Sequence, residues 1–121
     1  MKLPLSTLAA LFLAAMAVQH PAHAADVELG LTLVTELAQV NGVALACQDM
    51  ASAGKAKKMM LAHAPKTPRF GSAYEEATNA SYLNHARTAA ACPDAATVNG
   101  KLDALAKRLQ DALPPAPPAA Q

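Results

Sequence analysis

The sequence has few of the residues that usually give small domains their cores. It contains no tryptophan, two tyrosines and two phenylalanines among 121 residues. The core must therefore come from leucine, valine, alanine and methionine, which bury less apolar area per side chain than aromatic rings. A domain of this size with such a core is only marginally stable, so a covalent cross-link would contribute a large share of its stability.

An excess of one charge is also missing. Lysine and arginine number 10 and aspartate and glutamate number 9, which gives a formal net charge of +1. Dedicated nucleic-acid-binding proteins are strongly basic. The balance of charge therefore argues against DNA or RNA as the partner.

The motifs that identify many enzymes and metal centres do not occur. The serines lack a G-x-S-x-G context, the histidines form no H-x-x-x-H, and the two cysteines form no C-x-x-C. Glu75 and Glu76 are adjacent carboxylates, but acids are favoured in the first turn of a helix without any catalytic role. The sequence therefore predicts a protein that is not an enzyme and needs no cofactor.

The first 24 residues have the layout of a secretory signal peptide. Lys2 supplies a positive start, residues 5–18 form an apolar run, and Ala22-His23-Ala24 is a small-x-small cleavage site. The run is shorter than the roughly 20 residues that span a bilayer, so we expect no transmembrane segment. Cleavage near Ala24 predicts a periplasmic or secreted protein that keeps 97 of the 121 residues.

Two cysteines in an exported chain usually pair. A bridge between Cys47 and Cys92 would close a loop of about 46 residues, for which the chain-entropy model gives roughly 4 kcal/mol. We therefore predict one disulfide and expect it to supply much of the net stability.

The hydrophobic pattern predicts an all-α fold, a small bundle of three to four helices stapled by that disulfide. The first helix is expected over residues 26 to about 53, through Gly42, because one face repeats apolar residues at steps of three and four. That face consists of Leu33, Leu37, Val40, Ala44 and Cys47. A break at residues 52–54 and a short helix over residues 55–64 should follow, and then a loop over residues 64–71.

A capping box at Ser72 and Glu75 predicts the start of a third helix that runs to about residue 91. The last helix should follow Cys92-Pro93-Asp94, because apolar residues again recur at helical spacing. These residues are Val98, Leu102, Leu105 and Leu109. Residues 25–113 would then form a single helical domain, and the Pro/Ala-rich residues 114–121 a disordered tail.

This layout is similar to that of the small acid-stress chaperones of the bacterial periplasm. Those proteins are exported helical domains with one disulfide between an early helix and a later helix junction. Cys47 and Cys92 would be the counterparts here. The similarity lies in architecture, and it transfers no functional residue.

The most specific surface pattern is a run of positive charge without an acid among its members. It consists of Lys55, Lys57, Lys58, Lys66 and Arg69. Such a patch steers association with an acidic surface, and Phe70 would add an aromatic contact beside it. A solvated helix face explains the same lysines without any partner.

The sequence thus predicts a non-catalytic periplasmic interaction protein of the chaperone, adaptor or inhibitor type. Its partner would be a protein with an acidic surface, and the basic segment from Lys55 to Arg69 would be the contact. A homo-oligomer is also compatible with the sequence.

A second hypothesis is a protein that binds copper or another metal. Met59 and Met60 lie four and three residues before His63, so one helix face would present thioether and imidazole ligands, which suit Cu(I). His85 and Met50 could complete such a site from neighbouring helices. The simpler explanation is that methionine fills gaps in a core with few aromatic residues.

Overall fold

A computed structural model describes residues 22–113, which form four α-helices and no strand. The helices are α1 (Ala22–Ala46), α2 (Met50–His63), α3 (Pro68–Thr88) and α4 (Ala95–Ala112). Cys47 and Cys92 form a disulfide. The predictions of an all-α bundle and of its disulfide are therefore confirmed.

Two segments predicted from the sequence fall largely outside the described residues. The predicted signal peptide, residues 1–24, overlaps the structure only at its last three residues, which belong to α1. The predicted tail, residues 114–121, lies wholly outside.

The central element of the fold is α1. It contacts each of the other three helices, and α2 and α4 also contact each other. Within the described chain, α1 is the only helix whose backbone lies close to that of α3. One long side of α3 therefore has no helix against it.

The core lies between α1 and α4, and α2 closes one side. Leu33 and Leu37 of α1 and Leu102 and Leu109 of α4 are almost completely buried. The predicted face of α4 is buried at all four positions, from Val98 to Leu109. A repeat of three and four residues keeps these apolar side chains on the side that meets α1. Phe70, at the start of α3, also belongs to this core.

The packing of α3 on α1 depends on a close approach at Gly42. A Cβ atom at Gly42 would overlap the Thr78 carbonyl oxygen and would lie 2.8 Å from the Tyr82 amide nitrogen. Two hydrogen bonds cross the same contact: Asn41 Nδ2 donates to Thr78 Oγ1 at 3.2 Å, and Ser81 Oγ donates to the Gln39 carbonyl at 2.8 Å. The backbones of α1 and α3 can approach this closely only because residue 42 has no side chain.

The predicted break between the first two helices is wrong by several residues. The first helix ends at Ala46, and Gln48 adopts the left-handed conformation with φ 59°. Asp49 then caps α2, since its Oδ1 accepts the Ser52 amide at 3.0 Å. Hydrogen bonds from Ser52 also lower the pKa of Asp49. Residues 52–54, predicted as the break, are therefore helical.

The predicted start of the third helix is also wrong. It begins at Pro68, because proline suits the first turn of a helix, so Ser72 and Glu75 lie inside α3 and do not cap it. The helix ends at Thr88, and Ala89 is left-handed with φ 47°. The restart of the chain after Pro93 is confirmed, since Asp94 Oδ1 accepts the Thr97 amide at 2.7 Å at the start of α4.

Over Asp26–Ala46, α1 is long and apolar enough to cross a membrane, by length and composition only. The core helix of a soluble protein passes the same test. Burial of Leu33, Val34 and Leu37 in the bundle accounts for much of this apolar character.

Candidate binding groove

An open groove lies between α2 and α3, with α1 as its floor. It exists because α2 and α3 both pack on α1 while their backbones stay apart. Two adjoining pockets of about 490 and 510 Å³ form it, and both are lined by Leu45, Tyr74 and Glu75. We call this feature the α2–α3 groove.

The edges of the α2–α3 groove carry large apolar side chains exposed to solvent. Met50 and Leu61 of α2 are 57% and 58% exposed, and Tyr82 of α3 is 41% exposed. The described chain has two other large exposed apolar residues, Leu29 and Leu83. Apolar side chains concentrated along a groove are typical of a binding site for another molecule.

One polar group in the wall of the groove has no partner. The Tyr74 hydroxyl is buried and makes no hydrogen bond to any described residue. Burial raises the pKa of Tyr74 from 10.0 to about 12. An unpaired buried hydroxyl costs free energy, so this group destabilises the fold as it stands.

We expect Tyr74→Phe to raise the free energy of unfolding by up to about 1 kcal/mol at pH 7, because it removes the unpaired hydroxyl. Between pH 10 and 12 the unfolded chain loses the Tyr74 proton while the native state keeps it, so the stability of the unmodified protein falls as pH rises. Tyr74→Phe should lose that part of the pH dependence. Urea unfolding followed by circular dichroism measures both effects.

The matched control for this substitution is Tyr82→Phe, because the Tyr82 side chain is exposed. It should leave the free energy of unfolding at pH 7 unchanged. A loss of more than 1 kcal/mol in Tyr74→Phe would show that the hydroxyl has a stabilising partner and would contradict its description as unpaired.

Three of the five basic residues predicted as a contact surface have partners within the fold. Lys55 pairs with Asp103 at 2.7 Å, and Arg69 pairs with Glu28. Lys66 donates to the carbonyl of Leu61.

Two of the five basic residues form neither an ion pair nor a side-chain hydrogen bond in the described part of the chain. They are Lys57 and Lys58, both exposed, and Lys57 lines the α2–α3 groove.

The prediction that Phe70 is an exposed aromatic contact is wrong. The ring is 3% exposed, because the early start of α3 turns it into the core.

The structure places the methionine and histidine residues of the metal hypothesis in different surroundings. Met59 is buried in the core, whereas Met60 lines the α2–α3 groove. The Nδ1 atom of His63 is buried without a hydrogen-bond partner among the described residues. His85, considered as a completing ligand, lies against the disulfide, with Nε2 3.3 Å from Cys47 Sγ.

Comparison with known protein families, curated proteins and solved structures finds no match to this chain. The functional conclusion therefore rests on the groove and its chemistry. Leu45 and Tyr74 were not predicted from the sequence to belong to a site. Neither residue carries a motif, and the groove follows from the separation of two helices.

Proposed function

We propose that this protein is a non-catalytic interaction module of the periplasm that holds an amphipathic helical segment of a partner protein in the α2–α3 groove. Its exported location follows from the signal peptide predicted over residues 1–24. The observation that carries the proposal is an apolar groove with Met50, Leu61 and Tyr82 exposed along its edges. Recognition of an amphipathic helix by an apolar groove is a recurring mode of protein association.

The shape of the groove supports a helix as the occupant. Residues of α1, α2 and α3 line the groove together, so an elongated segment such as a helix would contact side chains of all three. Each of the two pockets falls within the range of about 300–1,000 Å³ that binding sites occupy. The occupant would cover the exposed apolar side chains.

The charges along the groove indicate the chemistry of the partner. The α2 side carries Lys57 with Lys58 next to it, and α2 contains no acidic residue. The α3 side carries Glu75. The partner segment should therefore have acidic residues along the edge that faces α2, since charges at the rim of an interface set specificity and association rate.

A designed peptide tests the proposal. It is a labelled helix of about five turns, roughly 18 residues, with leucines on one face, glutamates along one edge and glutamines elsewhere. We expect it to bind in fluorescence anisotropy. Met50→Asp with Leu61→Asp should weaken binding by about tenfold or more, because each places a charge in the apolar contact. The matched control is Leu29→Asp, since Leu29 is 48% exposed and lies outside the groove.

A second comparison tests the charge argument. Lys57→Glu should weaken binding of the glutamate-edged peptide, whereas Lys107→Glu, on the exposed surface of α4, should not. Four results would overturn the proposal: no binding by the unmodified protein, binding that the groove substitutions leave unchanged, saturable binding of laurate without the peptide, or dimers in sedimentation that the groove substitutions abolish. The last two would identify a lipid or a second copy as the occupant.

A further inference from the structure

The disulfide has a third potential metal ligand beside it. His85 Nε2 lies 3.3 Å from Cys47 Sγ and 3.7 Å from Cys92 Sγ. The three atoms lie within 4.8 Å of one another. Cys47 and His85 are half-buried and Cys92 is exposed, so the cluster is open to solvent on one side.

Three separate parts of the fold hold this cluster together. Cys47 directly follows α1, His85 lies in the last turn of α3, and Cys92 lies in the linker to α4. Because α3 packs along α1, its last turn arrives where α1 ends. The left-handed Ala89 then ends α3 and changes the direction of the chain, and Cys92 comes to lie beside His85.

We propose that the reduced protein binds Zn²⁺ through Cys47 Sγ, Cys92 Sγ and His85 Nε2, and that the disulfide is the metal-free form of the same site. Two thiolates and one imidazole leave the fourth tetrahedral position to water, a ligand set that zinc adopts in proteins. The proposal does not depend on the α2–α3 groove.

The distances fit this ion. Bonds of about 2.3 Å to sulfur and 2.0–2.1 Å to nitrogen in a tetrahedral site place sulfur and nitrogen about 3.5 Å apart and the two sulfurs about 3.8 Å apart. His85 Nε2 lies 3.3 Å from Cys47 Sγ and 3.7 Å from Cys92 Sγ, on either side of the sulfur–nitrogen distance expected for zinc. Only the two sulfur atoms would have to move apart. The Cα atoms of the two cysteines lie 5.7 Å apart, and rotation of the side chains provides that movement.

Conversion of the disulfide into the zinc-binding form balances when a dithiol is the reductant. The reductant gives two electrons and two protons to the sulfur–sulfur bond, which breaks to two thiols, and the reductant itself becomes a disulfide. Zn²⁺ then displaces the two thiol protons into water and forms two zinc–sulfur bonds. The lone pair of His85 Nε2 forms the third bond.

The experiment compares the full-length protein with and without prior reduction by a phosphine, which does not supply competing thiols. The reduced protein should bind one equivalent of Zn²⁺ in competition with a chromophoric chelator. With Co²⁺ in its place, it should show thiolate-to-metal absorption in the near ultraviolet. The oxidised protein should do neither. Zn²⁺ should also raise the melting temperature of the reduced protein and leave that of the oxidised protein unchanged.

Substitution of the histidine separates this site from adventitious binding. His85→Ala should keep the disulfide and the helical spectrum of the oxidised protein but lower the Zn²⁺ affinity of the reduced protein by about tenfold or more. His63→Ala is the matched control and should bind as the unmodified protein does. Equal binding by oxidised and reduced protein, no effect of His85→Ala, or no stabilisation of the reduced protein by Zn²⁺ would each overturn the proposal.

Discussion

Replacing both Cys47 and Cys92 with serine should lower the free energy of unfolding by about 4 kcal/mol. The bridge joins positions separated by 45 residues, and the loop it closes contains all of α2 and α3. Opening that loop gives the unfolded chain much more freedom. The folded protein is also sensitive to this loss, because the backbone of α3 lies close to that of α1 alone and the bridge lies just beyond the end of α3.

Urea unfolding in the presence of a metal chelator measures this effect. The unmodified protein with reductant should lose the same amount of stability as the double serine variant, and the variant should not respond to reductant. A change below 1 kcal/mol in either comparison would contradict the central role given to the disulfide.

The second large effect is expected at the contact between α1 and α3. Gly42→Ala places a methyl group against the Thr78 carbonyl oxygen and 2.7 Å from the Ser81 Cβ atom. Backbone cannot move aside as a flexible side chain can, so the two helices must separate. Overpacking of this kind costs about 1–3 kcal/mol, and we expect a net loss of about 2 kcal/mol even though alanine favours helix by about 1 kcal/mol.

Gly100→Ala is the matched control, because a Cβ atom on Gly100 in α4 would meet nothing within 4 Å. It should raise the free energy of unfolding by about 1 kcal/mol, so the two variants should differ by about 3 kcal/mol. If Gly42→Ala and Gly100→Ala changed the free energy of urea unfolding by the same amount, α1 and α3 would not approach each other as closely as described.

The elements that the sequence predicts well are those set by local pattern. The four apolar residues on one face of α4, from Val98 to Leu109, are all buried, because helical spacing alone determines that they share a face. The pairing of Cys47 with Cys92 follows from their number and from the predicted export. The passage of α1 through Gly42 follows from the apolar face that continues on both sides of it.

The boundaries of α2 and α3 are harder to predict because several local signals compete. Asp49 and Ser72 both belong to residue types that cap helices. Asp49 accepts a hydrogen bond from the Ser52 amide and caps α2. Ser72 instead lies inside a helix that already began at Pro68. The buried position of Phe70 follows from that earlier start.

The candidate site depends on contacts between residues far apart in the sequence. Nothing near Lys55 or Arg69 shows that Asp103 and Glu28 will pair with them. The groove is likewise a consequence of two helices that pack on the same floor while their backbones stay apart. Such features emerge only when all the helices are in place.

A nuclear magnetic resonance titration tests the proposed binding mode most directly. Gly54 and Gly71 line the α2–α3 groove, whereas Gly30 packs against Leu113 and Gly100 lies on the open surface of α4. On addition of the glutamate-edged peptide, the amide signals of Gly54 and Gly71 should shift while those of Gly30 and Gly100 stay in place. Shifts at Gly30 or Gly100 without shifts at Gly54 and Gly71 would contradict the assignment of the α2–α3 groove as the binding site.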